Sequence, residues 1–320
     1  MPLERKAIDG TAIALMVLLC LCWAFQQVAI KVAAAGVSPI MQAGLRSIAA
    51  GVLVLLWTRL RGIPLFARDR TLGSGLLAGV LFAAEFLFIY VGLSLTTAAR
   101  MVVFLYLAPC LTALGLAVFV PGERLRSSQW AGVLLAFLGI LLAFGEGMAG
   151  GKGAAGTRLG DAFGVLAAAL WAATTVVVRA TPLSRAPAAK TLLYQLAVSA
   201  AALPPASVLL GEPGVTSLTP RVVASLAYQG VVVAFASYLV WFWLLTRYLA
   251  SRISVFAFLT PLFGVALGVW LLGEPVTPAF LGAAVLVGAG IALVNLPARG
   301  RPAAPAPESR PSGRDARPVG

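Results

Sequence analysis

Histidine is absent from all 320 residues. Its absence removes Ser/His/Asp triads, HExxH zinc sites, His-ligated haem and imidazole proton shuttles together. Charge is scarce as well: 11% of residues are charged and 60% are hydrophobic, at a mean hydropathy of +0.96. A soluble domain carries about 25% charge, so soluble-enzyme readings fall away. The three cysteines, Cys20, Cys22 and Cys110, all lie inside apolar runs. Cys20 and Cys22 diverge on a helix, so neither a disulfide framework nor a CxxC pair is available, and all three read as buried small apolar residues. No metal site and no cofactor is expected. The net charge of +13 does not point to nucleic acid, because the basic residues punctuate apolar runs instead of clustering on one face.

What is present is apolar length. A membrane-spanning helix uses about 20 residues, which makes the chain material for about ten spans. The runs fall at 11–31, 38–57, 73–93, 97–119, 129–145, 160–179, 190–210, 222–244, 252–272 and 278–296. An all-α integral membrane protein follows, with the lipid bilayer as its first partner. Gly, Ala, Ser and Thr dominate the sparse polar faces, and Gly75–Gly79 and Gly264–Gly268 have the GxxxG spacing that lets helices approach closely in lipid. Arg5 and Lys6 before an apolar stretch, with Ala33-Ala34-Ala35 after it, resemble a signal peptide. The run is too long for one, and a retained first helix is expected. The segment 297–320, rich in Pro, Ala and Arg, has too little apolar content to form a core and reads as a disordered cytoplasmic tail.

Lys and Arg test the span count. With the N-terminus inside, the inner segments hold 18 basic residues and the outer ones 5, leaving Arg46 within a span. That asymmetry fits the positive-inside rule and predicts both termini in the cytoplasm. Twenty arginines against four lysines suit a GC-rich bacterial genome, hence a bacterial inner membrane.

The two halves, 11–145 and 160–296, match in order along the chain. Trp23-Ala24 and Lys31 recur 148 residues later as Trp171-Ala172 and Arg179. Pro109 recurs as Pro261 after 152 residues, and Gly122-Glu123 as Gly273-Glu274 after 151. Five spans per copy is an odd number, so the second copy enters the membrane from the opposite side. Inverted repeats are a common way to build a secondary transporter, whose two packings of the halves open a midplane site to either face in turn.

At these residues the chain resembles the drug/metabolite transporter superfamily, in particular its EamA-type members. The resemblance rests on Trp23 and Lys31, Arg46, the run Gly92-Leu93-Ser94-Leu95-Thr96-Thr97-Ala98-Ala99-Arg100 leading to Tyr106-Leu107-Ala108-Pro109, and the turns Gly122-Glu123-Arg124-Leu125 and Gly273-Glu274-Pro275-Val276. It covers roughly residues 11–296. It implies ten helices in two five-helix repeats and a central cavity lined by helices 1, 3, 4, 6, 8 and 9. A proton-linked exporter of small organic solutes is the activity it implies.

The residues single out a site. Glu85 lies deep in the third span, where an ionised side chain costs about 2.5 to 3.5 kcal/mol on insertion scales unless it faces water or a partner. Arg46 lies at matching depth in the second. Three readings stand open: a proton or substrate-cation site, a Glu85–Arg46 structural ion pair, or a neutral hydrogen-bonded carboxyl. Gln26 and Gln27 follow Trp23, as Thr174 and Thr175 follow Trp171, at the depth where a central site belongs. Interhelical hydrogen bonding accounts for them equally well. Tyr106, Tyr238, Trp241, Trp243 and Phe86 are candidates to line a pocket for an organic solute.

Pro109 and Pro261 should kink their helices. Arg100, Lys31 and Arg179 read as snorkelling end markers. Glu123 and Glu274 fall in turns, where each is placed to cap the helix that follows. The expected activity is that of a transporter, not an enzyme: a secondary transporter, in the direction of export, moving a small organic metabolite or drug-like solute by alternating access, with protons as a candidate coupling ion. A membrane-embedded lipid-modifying enzyme would need clustered catalytic groups or a metal near one interface, and a channel a continuous polar pore. Neither pattern is visible.

Overall fold

The computed structural model describes residues 6, 8–65, 69–96, 98–145, 154–272 and 278–296. The 297–320 tail and the Gly273-Glu274-Pro275-Val276 turn, with the capping role expected of Glu274, lie outside them. Among the described residues no strand forms, and ten helices are long and apolar enough to cross a membrane.

The first three spans are single helices, α1 (Gly10–Ala33), α2 (Pro39–Leu60) and α3 (Leu72–Leu95). Local chemistry sets their starts. The Asp9 carboxylate accepts from the Ala12 amide at 2.9 Å, and Pro39 opens α2, where its missing N–H would lack an intrahelical acceptor anyway. The fourth span is divided into α4 (Ala98–Leu105) and α5 (Ala108–Phe119). Gly122, at φ +86°, then turns the chain towards α6 (Ser127–Phe144), the fifth span.

In the second half, α7 (Ala154–Ala180) and α8 (Ala188–Leu209) are the sixth and seventh spans. The eighth runs from α9 (Pro220–Ala227) through a π-helical stretch, Tyr228–Ser237, into α10 (Tyr238–Arg247). The ninth is α11 (Ala250–Ile253), a 3-10 turn over Ser254–Phe258 and α12 (Leu259–Leu272); α13 (Pro278–Asn295) is the tenth. Pro109 and Pro261, expected to kink their helices, fall where their spans change segment. Each lies in the first turn of a new segment, α5 or α12, a position that needs no backbone donor.

Packing follows one rule. The second span packs on the seventh and the fifth on the tenth. The third meets the sixth as the first meets the eighth, the fourth meets the sixth as the first meets the ninth, and the third meets the seventh as the second meets the eighth. Exchanging each span with the one five places on leaves this pairing unchanged. Small residues permit the closest contacts. A Cβ on Gly290 would sit 2.5 Å from the Gly132 carbonyl oxygen, so α13 and α6 touch backbone to backbone. Gly75 and Gly79 lie against Tyr194 and Val198 of α8, whereas Gly264 meets nothing within 4 Å, so that spacing marks a contact only once. Large apolar side chains such as Leu18, Leu56, Val118 and Val285 point outward, as they do where the surroundings are lipid.

Candidate functional site

The halves enclose a cavity of about 140 Å³. That is well above the roughly 10–15 Å³ a single water occupies. Trp23, Gln26 and Gln27 line it from the first span, and Trp171, Thr174 and Thr175 from the sixth. Glu85 comes from α3, Tyr106 from the break between α4 and α5, and Tyr238 and Trp241 from α10. The ten side chains proposed for a central pocket therefore surround one space. Trp243, by contrast, does not line it; its ring lies under the Arg247 guanidinium, 4.7 Å from it.

Aromatic rings form most of the wall. Trp23 meets Trp241 at 5.9 Å and Tyr238 at 6.5 Å, both edge to face, and donates its indole N–H to Ser237 Oγ at 2.9 Å. The π-helical stretch brings Ser237 to that point and also places Tyr228, whose hydroxyl donates to the Cys22 carbonyl at 3.0 Å. On the other side Tyr106 meets Trp171 at 6.1 Å. Thr174 and Thr175 donate to the carbonyls of Leu170 and Trp171 in their own helix, which leaves their oxygens as acceptors toward the cavity.

Glu85 is 8% exposed and forms neither a hydrogen bond nor an ion pair with the described residues. Arg46 is 2% exposed and lies behind the wall, its guanidinium 4.2 Å from the centroid of the Phe86 ring, which itself lines the cavity. The two side chains sit on neighbouring helices, α2 and α3, without joining. Sequence reasoning missed six lining residues, Phe82, Ile89, Leu105, Gln195, Phe242 and Thr260. Gln195 and Thr260 carried a readable signal, a polar group deep in an apolar run; the apolar four are indistinguishable in sequence from lipid-facing residues.

The remaining ionic groups join the halves at the two ends of the bundle. At the end where α1 begins, Glu123 pairs with Arg179 and accepts from the Ala250 amide, the Ser251 amide and the Ser251 hydroxyl at 3.2, 3.1 and 2.8 Å. Glu123 thus caps α11 and not the helix that follows it, and Arg179 is a buried partner instead of a snorkelling one. Asp69 accepts two bonds from Lys190, each 2.9 Å, and one from the Thr71 hydroxyl at 2.6 Å. The Thr71 hydroxyl and the Lys190 ammonium hold its carboxyl down at about 2. The Ala12 amide and the Tyr248 hydroxyl likewise keep Asp9 below the usual carboxylate range. At the opposite end Arg100 is bound to Asp161, with Nε to Oδ1 at 3.0 Å, while Thr96 donates to the same oxygen at 2.9 Å. Arg100 is therefore a structural partner, not a free end marker. Lys31 remains exposed.

A multi-span helical bundle with a polar, aromatic cavity between matching halves defines a class, that of membrane transporters. The comparisons narrow it. The profile of the EamA-like transporter family matches residues 10–145 and 158–296, so the chain belongs to that family and is a transmembrane transporter. A protein of Salmonella typhimurium named a probable amino-acid metabolite efflux pump is 27% identical over 87% of this chain and 92% of its own length. Its Escherichia coli counterpart of the same name is 26% identical over 89% and 93%. An uncharacterized transporter of Archaeoglobus fulgidus is 27% identical over 81% and 89%. A solved crystal structure shares the fold at a TM-score of 0.76 and 24% identity, covering 90% of this chain and 99% of the other.

Proposed function

We propose that the chain exports a small organic metabolite related to amino acids across a bacterial inner membrane, by alternating access between two inverted five-helix repeats with both termini in the cytoplasm. The observation that carries the reading is Glu85, an unpaired carboxyl facing an aromatic cavity at the junction of the halves. The names of the Salmonella and Escherichia relatives support the solute class and the direction. The pairing of spans that survives exchange of the halves supports the two interchangeable packings that alternating access needs. Glu85 then serves as a shared site: a proton and a substrate cation compete for one carboxylate, so acid on the outer face releases the solute and its absence inside admits the next. This competition couples export to the proton gradient with no further ionisable group.

The test is efflux of a metabolite panel from proteoliposomes with and without a pH gradient, comparing wild type with Glu85→Gln. Wild-type transport that follows the gradient, and a variant that does not respond to it, are expected. Transport indifferent to the gradient in both proteins removes Glu85 from coupling, and no movement of any solute removes the export reading. Cysteines placed near positions 65 and 155 should label from opposite faces; labelling from one face refutes the ten-span topology.

A further inference from the structure

Arg46 is anomalous among the buried cations. Arg179 and Lys190 each hold a carboxylate, as does the half-buried Arg100. Arg46 does not, and its Nε and Nη1 are enclosed with no acceptor. A guanidinium presents five N–H donors in a planar fork that matches a carboxylate, and a ring face compensates its charge without accepting those bonds. The ring in question belongs to Phe86, the neighbour of Glu85, and both line the cavity. Arg46 on α2 and Glu85 on α3 belong to neighbouring helices, yet among the described residues no ion pair closes between them. A guanidinium and a carboxyl held near one cavity without joining are a complementary template for a molecule that carries both an ammonium and a carboxylate.

We infer that Glu85 and Arg46 together set the specificity of the cavity for a zwitterionic solute, its ammonium held by Glu85, its carboxylate by Arg46 once the Phe86 ring turns aside, and its side chain among Trp23, Tyr238 and Trp241. The inference rests on the export reading above and specifies its substrate. A lipophilic cation satisfies Glu85 and the aromatic wall but meets an unscreened guanidinium. An organic anion satisfies Arg46 and meets Glu85. A neutral amino acid places each charge against its opposite, and the apolar wall receives an aliphatic or aromatic side chain.

Three ligands of one skeleton separate these cases: leucine, isoamylamine, which lacks the carboxylate, and isocaproate, which lacks the ammonium. Trp23, Trp171 and Trp241 line the cavity, so binding to the detergent-purified protein reads out as a change in tryptophan fluorescence. Wild type should bind leucine about 10- to 100-fold more tightly than either analogue, the range for a charged hydrogen-bonding group. Arg46→Gln should bring leucine down to the affinity of isoamylamine while leaving the amine unchanged or tighter, which also reports that the variant is folded. Glu85→Gln should instead equalise leucine and isocaproate. Wild type that binds isoamylamine as tightly as leucine overturns the inference without recourse to a variant. In proteoliposomes, export of isoamylamine but not leucine refutes the zwitterion and keeps the transporter, whereas failure of every solute brings down both.

Discussion

Glu123→Ala should be among the most damaging single substitutions outside the cavity. The carboxylate is 1% exposed and its partner Arg179 3%. It receives four donors, from Arg179, the Ala250 and Ser251 amides and the Ser251 hydroxyl. Its loss leaves the guanidinium enclosed with the Leu245 carbonyl, at 3.0 Å, as an acceptor, and uncaps the start of α11. Breaking a buried pair from one side costs about 3–5 kcal/mol, and a lost cap about 1 kcal/mol. The effects overlap, so about 4 kcal/mol is expected, or on the order of 10 °C in melting temperature at about 2–4 °C per kcal/mol. Arg179→Met should cost less, because Glu123 would keep three donors from the ninth span. Thermal unfolding in detergent measures both. The reasoning is refuted if Glu123→Ala melts within about 2 °C of wild type, or if Arg179→Met is the more damaging of the two.

Two further outcomes follow from geometry. Asp69→Asn should lower the melting temperature by a constant amount above about pH 5, because a carboxylate with a depressed folded pKa stabilises only where it is ionised. That difference should shrink as pH falls from the unfolded carboxyl value near about 4 through the folded value of about 2, and a gap independent of pH in melting scans would contradict it. Gly290→Ala should destabilise the α6–α13 contact by about 1–3 kcal/mol, since its Cβ meets the Gly132 oxygen at 2.5 Å, while Gly288→Ala, with nothing within 4 Å, should be tolerated. Equal melting temperatures for the two glycine variants would show that the helices separate freely.

The spans were legible because lipid leaves a chain few options: an apolar run of sufficient length must satisfy its own backbone, and a helix does so. The cavity residues were legible for the converse reason. Gln26, Glu85 and Thr174 sit where a polar group must find water or a partner, so depth within an apolar run is itself the signal. Partners were not legible. Glu123 meets Arg179 56 residues away and Ala250 127 residues away, and no local pattern announces which helix start a turn carboxylate reaches. Pro109 and Pro261 declared a missing donor but not the side of the break on which they fall. The π-helical stretch in the eighth span left no trace in the apolar run 222–244, and only the structure shows the span extended to the 28 residues Pro220–Arg247.

The repeat offers a last argument about Arg46 and Glu85. Offsets of 148 to 152 residues relate the halves and carry Arg46 onto 194–198, which include Gln195, and Glu85 onto 233–237, which include Ser237; neither range holds a charged residue. Gln195 lines the cavity and Ser237 accepts from Trp23, so the second half fills the equivalent positions with uncharged groups on the same scaffold. The charges are then an addition to the fold, not a requirement of it. Arg46 and Glu85 have no mutual ion pair to lose, and neutral groups in their places remove the desolvation cost of burying them. The double variant Arg46→Gln, Glu85→Ser, which copies the second half into the first, should therefore melt at or above the wild-type temperature while losing leucine binding. A fall in melting temperature like that of Glu123→Ala would instead make the two charges part of the frame, and would leave the cavity without its reason for holding them apart.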